Sequence, residues 1–211
     1  MRSFLIPVLF CLISCVNPTS ADENYYFPVK DFFTEKTYCF INQNDTRDKS
    51  YWKMKTCISS NDTFLLTVIF DGKKRITDSI TEKICSGNSK IISYTLFDYD
   101  EQGNKISSES EILDSLLFIS SQKKGESIKW KLRFKDYRSS NTCELSKIRT
   151  LKSNDQNQKI FRDYLKFEVI GTAQGYQYEA TMVYQKNKGL ISYKMILPDG
   201  KEKDYVLTSI K

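Results

Sequence analysis

Hydrophobic and polar positions alternate along most of this chain, the period of a strand with one buried face rather than of a helix. Ser127 to Lys135 is the clearest case. Ile128, Trp130, Leu132 and Phe134 fall on one face, and Lys129, Lys131, Arg133 and Lys135 on the other. Trp52 and Met54 alternate in the same way with Tyr51, Lys53 and Lys55. Leu165, Phe167 and Val169 alternate with Lys166 and Glu168, and Tyr176 to Tyr184 places Tyr178, Ala180 and Met182 opposite Gln177, Glu179 and Thr181. Thr63 to Phe70 is more uniformly apolar and predicts a central strand. Lys36 to Gln43, Lys90 to Tyr99, Lys105 to Glu111, Asn141 to Leu151, Leu190 to Leu197 and Tyr205 to Ile210 complete the strand-like segments.

Between them lie turn signals with a mechanism. Asp71-Gly72, Asn187-Lys188-Gly189 and Pro198-Asp199-Gly200-Lys201 combine residues that preset or tolerate turn dihedrals. Three segments break the pattern. Tyr25 to Val29 reads as extended, with Pro28 confining it to an edge. Arg75 to Lys83 fits strand and helix equally. Ser110 to Ser120 spaces Ile112, Leu113, Leu116, Leu117 and Ile119 by threes and fours, which predicts a short helix. Lys152 to Lys159 is polar and predicts a loop. No internal repeat or composition break divides the chain. The expected fold is mainly β: one domain over 25–211, a curved antiparallel sheet, half-barrel or barrel-like, with at most one or two short helices.

The first fifteen residues follow a different rule. Arg2 gives a positive start, Phe4 to Ile13 an apolar run, and Leu12-Ile13-Ser14-Cys15 a small-residue exit. The run is shorter than the roughly 20 residues a membrane span requires, and reads as an export signal. Leu-Ile-Ser-Cys resembles the lipobox of bacterial lipoproteins, which implies lipidation of Cys15, a signal peptide over 1–15 and a polar tether over 16–24. A competing reading places ordinary cleavage after Thr19-Ser20-Ala21. The chain ends carry a second resemblance. Tyr25-Tyr26-Phe27-Pro28-Val29-Lys30 with Thr37-Tyr38, and Gly189 to Lys194 with Asp199-Gly200 and Tyr205-Val206-Leu207, look like the start and final hairpin of uncharacterised bacterial exported β-proteins. It covers about a fifth of the chain, departs from the usual pattern at Tyr38, where tryptophan is common, and implies a cell-envelope protein without transferring any catalytic residue.

Composition narrows the chemistry. With 40% hydrophobic residues and 13 each of Tyr and Phe in 211, the chain has material for a sizeable core. Its formal charge of +6 is spread among charges of both signs, so nucleic acid is not an expected partner. Lys129, Lys131, Arg133 and Lys135 form the one concentrated basic face. It suits an anionic partner such as a phosphate, lipid headgroup or acidic glycan, or simply a solvated surface that discourages edge pairing. Cys39, Cys57, Cys85 and Cys143 remain after export, an even number in an oxidising compartment, and predict two disulfides. Three connectivities are possible, and consecutive strands favour Cys39 with Cys57, leaving Cys85 with Cys143.

The chain has no histidine, which removes Ser-His-Asp and Cys-His arrangements. Asp98 with Asp100, and Glu109 with Glu111, are carboxylate pairs beside polar turns. The run from Asp98 to Asn104 lacks the terminal acidic ligand of a calcium loop. No metal site, cofactor or catalytic residue is expected. Asn44-Asp45-Thr46 and Asn61-Asp62-Thr63 match the glycosylation acceptor pattern of secreted proteins. The expected protein is therefore exported, lipid-anchored to a bacterial cell envelope, and binding or structural rather than enzymatic. Its partners are the membrane, and another envelope protein, glycan or apolar ligand. The alternative is a lipocalin-like or half-barrel carrier of an apolar ligand, in the form of a secreted glycoprotein.

Overall fold

The computed structural model describes residues 27–85, 88–119, 122–136, 141–153, 164–173 and 176–211. The leader, Cys15, the tether, part of the 152–159 loop and the turns at 86–87 and 174–175 lie outside the described residues. Among the described residues there are thirteen strands. They are β1 (Lys36–Asn42), β2 (Asp45–Ser59), β3 (Asp62–Phe70), β4 (Ile76–Cys85) and β5 (Asn88–Tyr99). Then follow β6 (Lys105–Asp114), β7 (Leu116–Ile119), β8 (Ser127–Lys135) and β9 (Thr142–Ser153). The final meander is β10 (Tyr164–Ala173), β11 (Tyr176–Gln185), β12 (Gly189–Ile196) and β13 (Glu202–Ile210).

Each strand pairs antiparallel with its neighbours, and β1 pairs with β13 from Tyr38↔Ile210 to Asn42↔Tyr205. The β4–β5 pairing completes the circuit, so twelve strands form a closed barrel with β7 outside the ring order. Closure leaves those strands no unpaired edge. Thr37 and the C-terminal Lys211 exchange backbone hydrogen bonds of 2.9 and 3.0 Å, so β1 begins and β13 ends at one rim.

Alternation then decides which side chains face inward. Tyr38 and Phe40 of β1, Met54 of β2, Leu65 of β3, Phe167 of β10 and Leu190 of β12 are almost wholly buried in the lumen. Outward positions carry cross-strand ion pairs, including Lys131–Glu144 at 2.7 Å, Lys152–Glu168 at 2.8 Å and Lys194–Glu202 at 2.7 Å. Such exposed pairs each add little stability. Their distribution is decisive in another way, because a barrel crossing a membrane turns an apolar band outward and a polar lumen inward. This barrel has the opposite polarity.

Two segments depart from the sequence pattern. The segment expected to be extended, Tyr25 to Val29, is not an edge strand where it is described, from Phe27 on. Val29–Phe32 form a single 3-10 turn, and Phe27 and Phe32 insert into the rim where β1 begins. Phe27, 5% exposed, meets the Tyr38 ring edge-on at 5.8 Å, and Thr56 Oγ1 donates to the Val29 carbonyl at 2.6 Å. Gly189 is required here twice: its φ is +80°, and a Cβ would lie 2.6 Å from the Phe27 ring.

The predicted helix over 110–120 is also absent. β6 pairs with β5 as far as Glu109, crosses to β8 through Ser110↔Phe134, and breaks at Ser115. β7 then continues antiparallel along β5 toward its start in a shifted register, with Ser89↔Phe118. The spacing of threes and fours comes from two strands whose facing phase resets at the break. Arg75 to Lys83 resolves as strand, within β4.

The two predicted disulfides are not formed; all four described cysteines are free. Register gives the reason. Cys39 lies opposite Tyr51, six positions from Cys57 on β2, about 20 Å away at roughly 3.3 Å per residue. A disulfide needs Cα atoms within about 7 Å. Cys85 ends β4 at the plugged rim, whereas Cys143 lies near the start of β9 at the other. Thiol titration of the denatured, unreduced body is expected to count four free thiols, and reduction to leave its electrophoretic mobility unchanged.

Candidate functional site

The barrel wall lines a partly open cavity of about 200 Å³. Phe27 and Leu117, from the plugging segment and β7, border it on one side. Trp52, Ile69, Ile80, Ile91, Trp130 and Met182 supply most of its apolar wall. Four charged side chains also reach it: Asp78 and Glu82 from β4, and Lys147 and Arg149 from β9. Each pair occupies alternate positions of one strand, so both members share the inward face.

The acidic wall is hydrogen-bonded from within. Tyr94 donates its hydroxyl to Asp78 Oδ1 at 2.5 Å. Burial, reinforced by the Asp78 charge, pushes the Tyr94 phenol well above its usual pKa. Glu82, 3% exposed, accepts from the Ser89 hydroxyl. These bonds hold the two carboxylates against the β4–β5 seam.

The basic wall is arranged differently. Arg149 is only 5% exposed, and its guanidinium lies 4.5 Å from the Phe167 ring centre, 5.2 Å from Phe118 and 5.8 Å from Tyr184. These ring faces attract a cation that has lost most of its water. It donates to the Leu117 carbonyl on β7 and, at 3.4 Å, to the Tyr184 hydroxyl. Burial raises the Tyr184 phenol, and the Arg149 charge offsets part of that rise. Arg149 Nε is buried without a hydrogen-bond partner. So is Thr67 Oγ1, on β3 at the cavity wall. Lys147 Nζ sits 5.1 Å above the Trp130 ring.

A second polar cluster lies toward the other rim. Asp48 Oδ2 accepts from Tyr205 Oη at 2.7 Å, Lys203 Nζ at 3.1 Å and Asn42 Nδ2 at 3.2 Å. Burial alone would raise the Asp48 pKa, but these bonds outweigh it and hold the carboxyl below its ordinary value. Tyr193 and Tyr205 stack at 4.7 Å beside it. This cluster ties β1, β2 and β13 together at the seam that closes the barrel.

The residues singled out from the sequence fall elsewhere. Lys129, Lys131, Arg133 and Lys135 line the outer face of β8, away from the cavity. Lys131 is paired with Glu144, and Arg133 lies 3.3 Å from Glu111 and 3.4 Å from Glu144. Asp100 closes a turn by accepting from the Asn104 backbone at 2.7 Å and its amide side chain at 2.9 Å. Asn44 and Asn61 are exposed in turns at opposite rims. The four charged cavity residues were not among the candidates. Their signal is visible in retrospect: Leu145, Lys147, Arg149 and Leu151, like Ile80, Glu82 and Ile84, place charge at the inward phase of a strand.

No family model matches this chain, and no curated protein matches it. Two solved structures resemble it. One is described as an exported protein with a YmcC-like fold from Bacteroides fragilis, with a TM-score of 0.53 and 10% identity over 89% of this chain and 99% of the other. The second is described as a lipoprotein from Parabacteroides distasonis, with a TM-score of 0.47 and 10% identity over the same shares. The first likeness establishes the fold, a closed antiparallel barrel of YmcC-like type.

Two outcomes follow from the cavity and its surroundings. Thr67→Val removes a buried hydroxyl that has no partner, so urea denaturation should find the empty protein about 1 kcal/mol more stable than the parent. Five phenols, Tyr38, Tyr94, Tyr184, Tyr193 and Tyr205, have pKa values raised by burial. An unfolded phenol ionises near pH 10, so their contribution is complete below about that pH and is lost as pH rises through the folded values. Alkaline titration should show their tyrosinate absorbance appearing together with loss of circular dichroism.

Proposed function

We propose that this chain is an exported cell-envelope protein, anchored through a lipidated Cys15, whose barrel is a non-catalytic body that holds a small, largely apolar ligand. The observation that carries this reading is the cavity itself: a space walled by Trp52, Trp130 and isoleucines inside a closed barrel, with one rim plugged by the chain's own residues 27–33. A sheet closed only for rigidity gains from packing its lumen fully. Holding a ligand requires this combination of apolar walls and a few convergent polar groups.

Export and anchoring rest on the leader, with its apolar run and Leu-Ile-Ser-Cys exit. The Bacteroides fragilis protein that shares the fold is itself described as exported. Geometry suits an anchor at the amino terminus. Eleven residues separate Cys15 from Phe27, and the span reaches at most about 40 Å when extended. The plugged rim, where Phe27 enters, would therefore face the membrane, and the rim bearing the β1–β2 and β12–β13 turns would face away. A non-catalytic role is consistent with the state of the cavity carboxylates, since Asp78 and Glu82 are engaged by Tyr94 and Ser89.

Mass spectrometry of the protein purified from its host envelope tests both parts. The expected spectrum under denaturing conditions is a chain beginning at an acylated Cys15. Under native conditions an added small-molecule mass is expected that denaturation releases. A chain still beginning at Met1 would overturn export, and cleavage after Ala21 would overturn the anchor. A native mass equal to the bare polypeptide would overturn the ligand.

A further inference from the structure

The polar groups around the cavity are not balanced. Asp78 and Glu82 accept hydrogen bonds from Tyr94 and Ser89, whereas the basic wall on β9 retains a buried donor, Arg149 Nε–H, with no acceptor. Arg149 Nε–H is buried and unpaired while the terminal guanidinium nitrogens are fixed by Leu117 and Tyr184. The guanidinium is therefore held in place with its Nε–H left over. Lys147, two residues earlier on the same inward face, rests its ammonium on Trp130 and forms no ion pair among the described residues. A buried donor without an acceptor is costly, and more so when it belongs to a charged group. Thr67 Oγ1, an independent orphan on β3, shows that the deficit is a property of the cavity and not of one side chain.

An occupant that meets this wall must supply oxygen acceptors and, beside two cations, negative charge. The formal charges already present cancel: two carboxylates on β4, two cations on β9. The lumen therefore opposes an anion with no net charge of its own, and the β9 side attracts it locally. The remaining wall, Trp52, Ile69, Ile80, Ile91 and Trp130, offers aromatic and aliphatic contact but few further polar groups.

Resting on the reading of the barrel as a ligand holder, we infer that the ligand is a small amphipathic carboxylate. Its carboxylate accepts from Arg149 Nε–H and the Lys147 ammonium, and its apolar body lies between Trp52 and Trp130. The Thr67 hydroxyl is placed to meet a further polar atom carried on that body. Arg149 and Lys147 are thus the residues that determine specificity, and the ring faces of Phe118, Phe167 and Tyr184 hold the guanidinium oriented.

The chain supplies its own probe, because its two tryptophans both border the cavity. The purified protein is titrated with octanoate, octanol and octylamine, with intrinsic tryptophan emission and calorimetry as readouts. Octanoate is expected to bind at least about tenfold more tightly than octanol, the range of a charge-assisted hydrogen bond, and octylamine more weakly than either. Lys147→Met keeps an unbranched stem over Trp130 and removes the charge. It should reduce octanoate affinity about tenfold and leave octanol unchanged, and an unaltered urea transition would verify its fold. Equal binding of all three probes would overturn the carboxylate and leave the ligand-holding reading standing. Preference for octylamine would also overturn it, moving recognition to Asp78 and Glu82. Absence of binding by any probe would overturn both readings together.

Discussion

The pairing of β1 with β13 is the contact on which the remaining structure depends. Without it the sheet would expose two edges, each a row of unpaired backbone groups open to other chains. With it, every strand of the ring has two neighbours, and inside and outside become distinct for each residue. The seam is reinforced where it is formed: Asp48 gathers Asn42, Lys203 and Tyr205 from the strands on either side. The first and last strands of the domain meet there, so closure is among the longest-range contacts the chain must make and carries a correspondingly large loop-closure cost.

Closure at twelve strands creates a filling problem. A barrel of about eight strands has a lumen that side chains alone can occupy, and barrels of about sixteen leave a channel. This one lies between those limits. Aromatic side chains fill part of the space, with Phe40, Phe167 and Tyr184 among them. The chain fills more of it at one rim with the 27–33 turn, which inserts Phe27 and Phe32 there. The cavity lies beside that insertion, with Phe27 in its wall, so part of its boundary is set by a segment outside the ring.

Placing Arg149 in such a lumen would be strongly unfavourable if it stood alone, because an ionised group loses its hydration there. Three ring faces, the Leu117 carbonyl and the Tyr184 hydroxyl replace much of that water. The same contacts bind β7 to β9 and β11, so a residue suited to ligand recognition also holds β7 in place. Phe118 serves both purposes: it packs on Phe167 and Tyr184 and covers the guanidinium.

Alternation of apolar and polar residues was enough to identify an antiparallel β domain, because inward and outward sides of a strand differ in sequence whenever one side is buried. It located the strand faces from Ile128 to Phe134 and from Tyr178 to Tyr184, and the turns at Asp71-Gly72 and Asp199-Gly200. It did not foresee the break at Ser115, since a reset of phase between two short strands mimics helical spacing over ten residues. Nor did it separate the cysteines: adjacency of strands was legible, but register was not, and register sets their distance. The charged cavity residues were hidden for a related reason. Charge at an inward position weakens the alternation that identifies a strand, and only the closed lumen, by bringing β4 and β9 to one space, turns that weakness into a site.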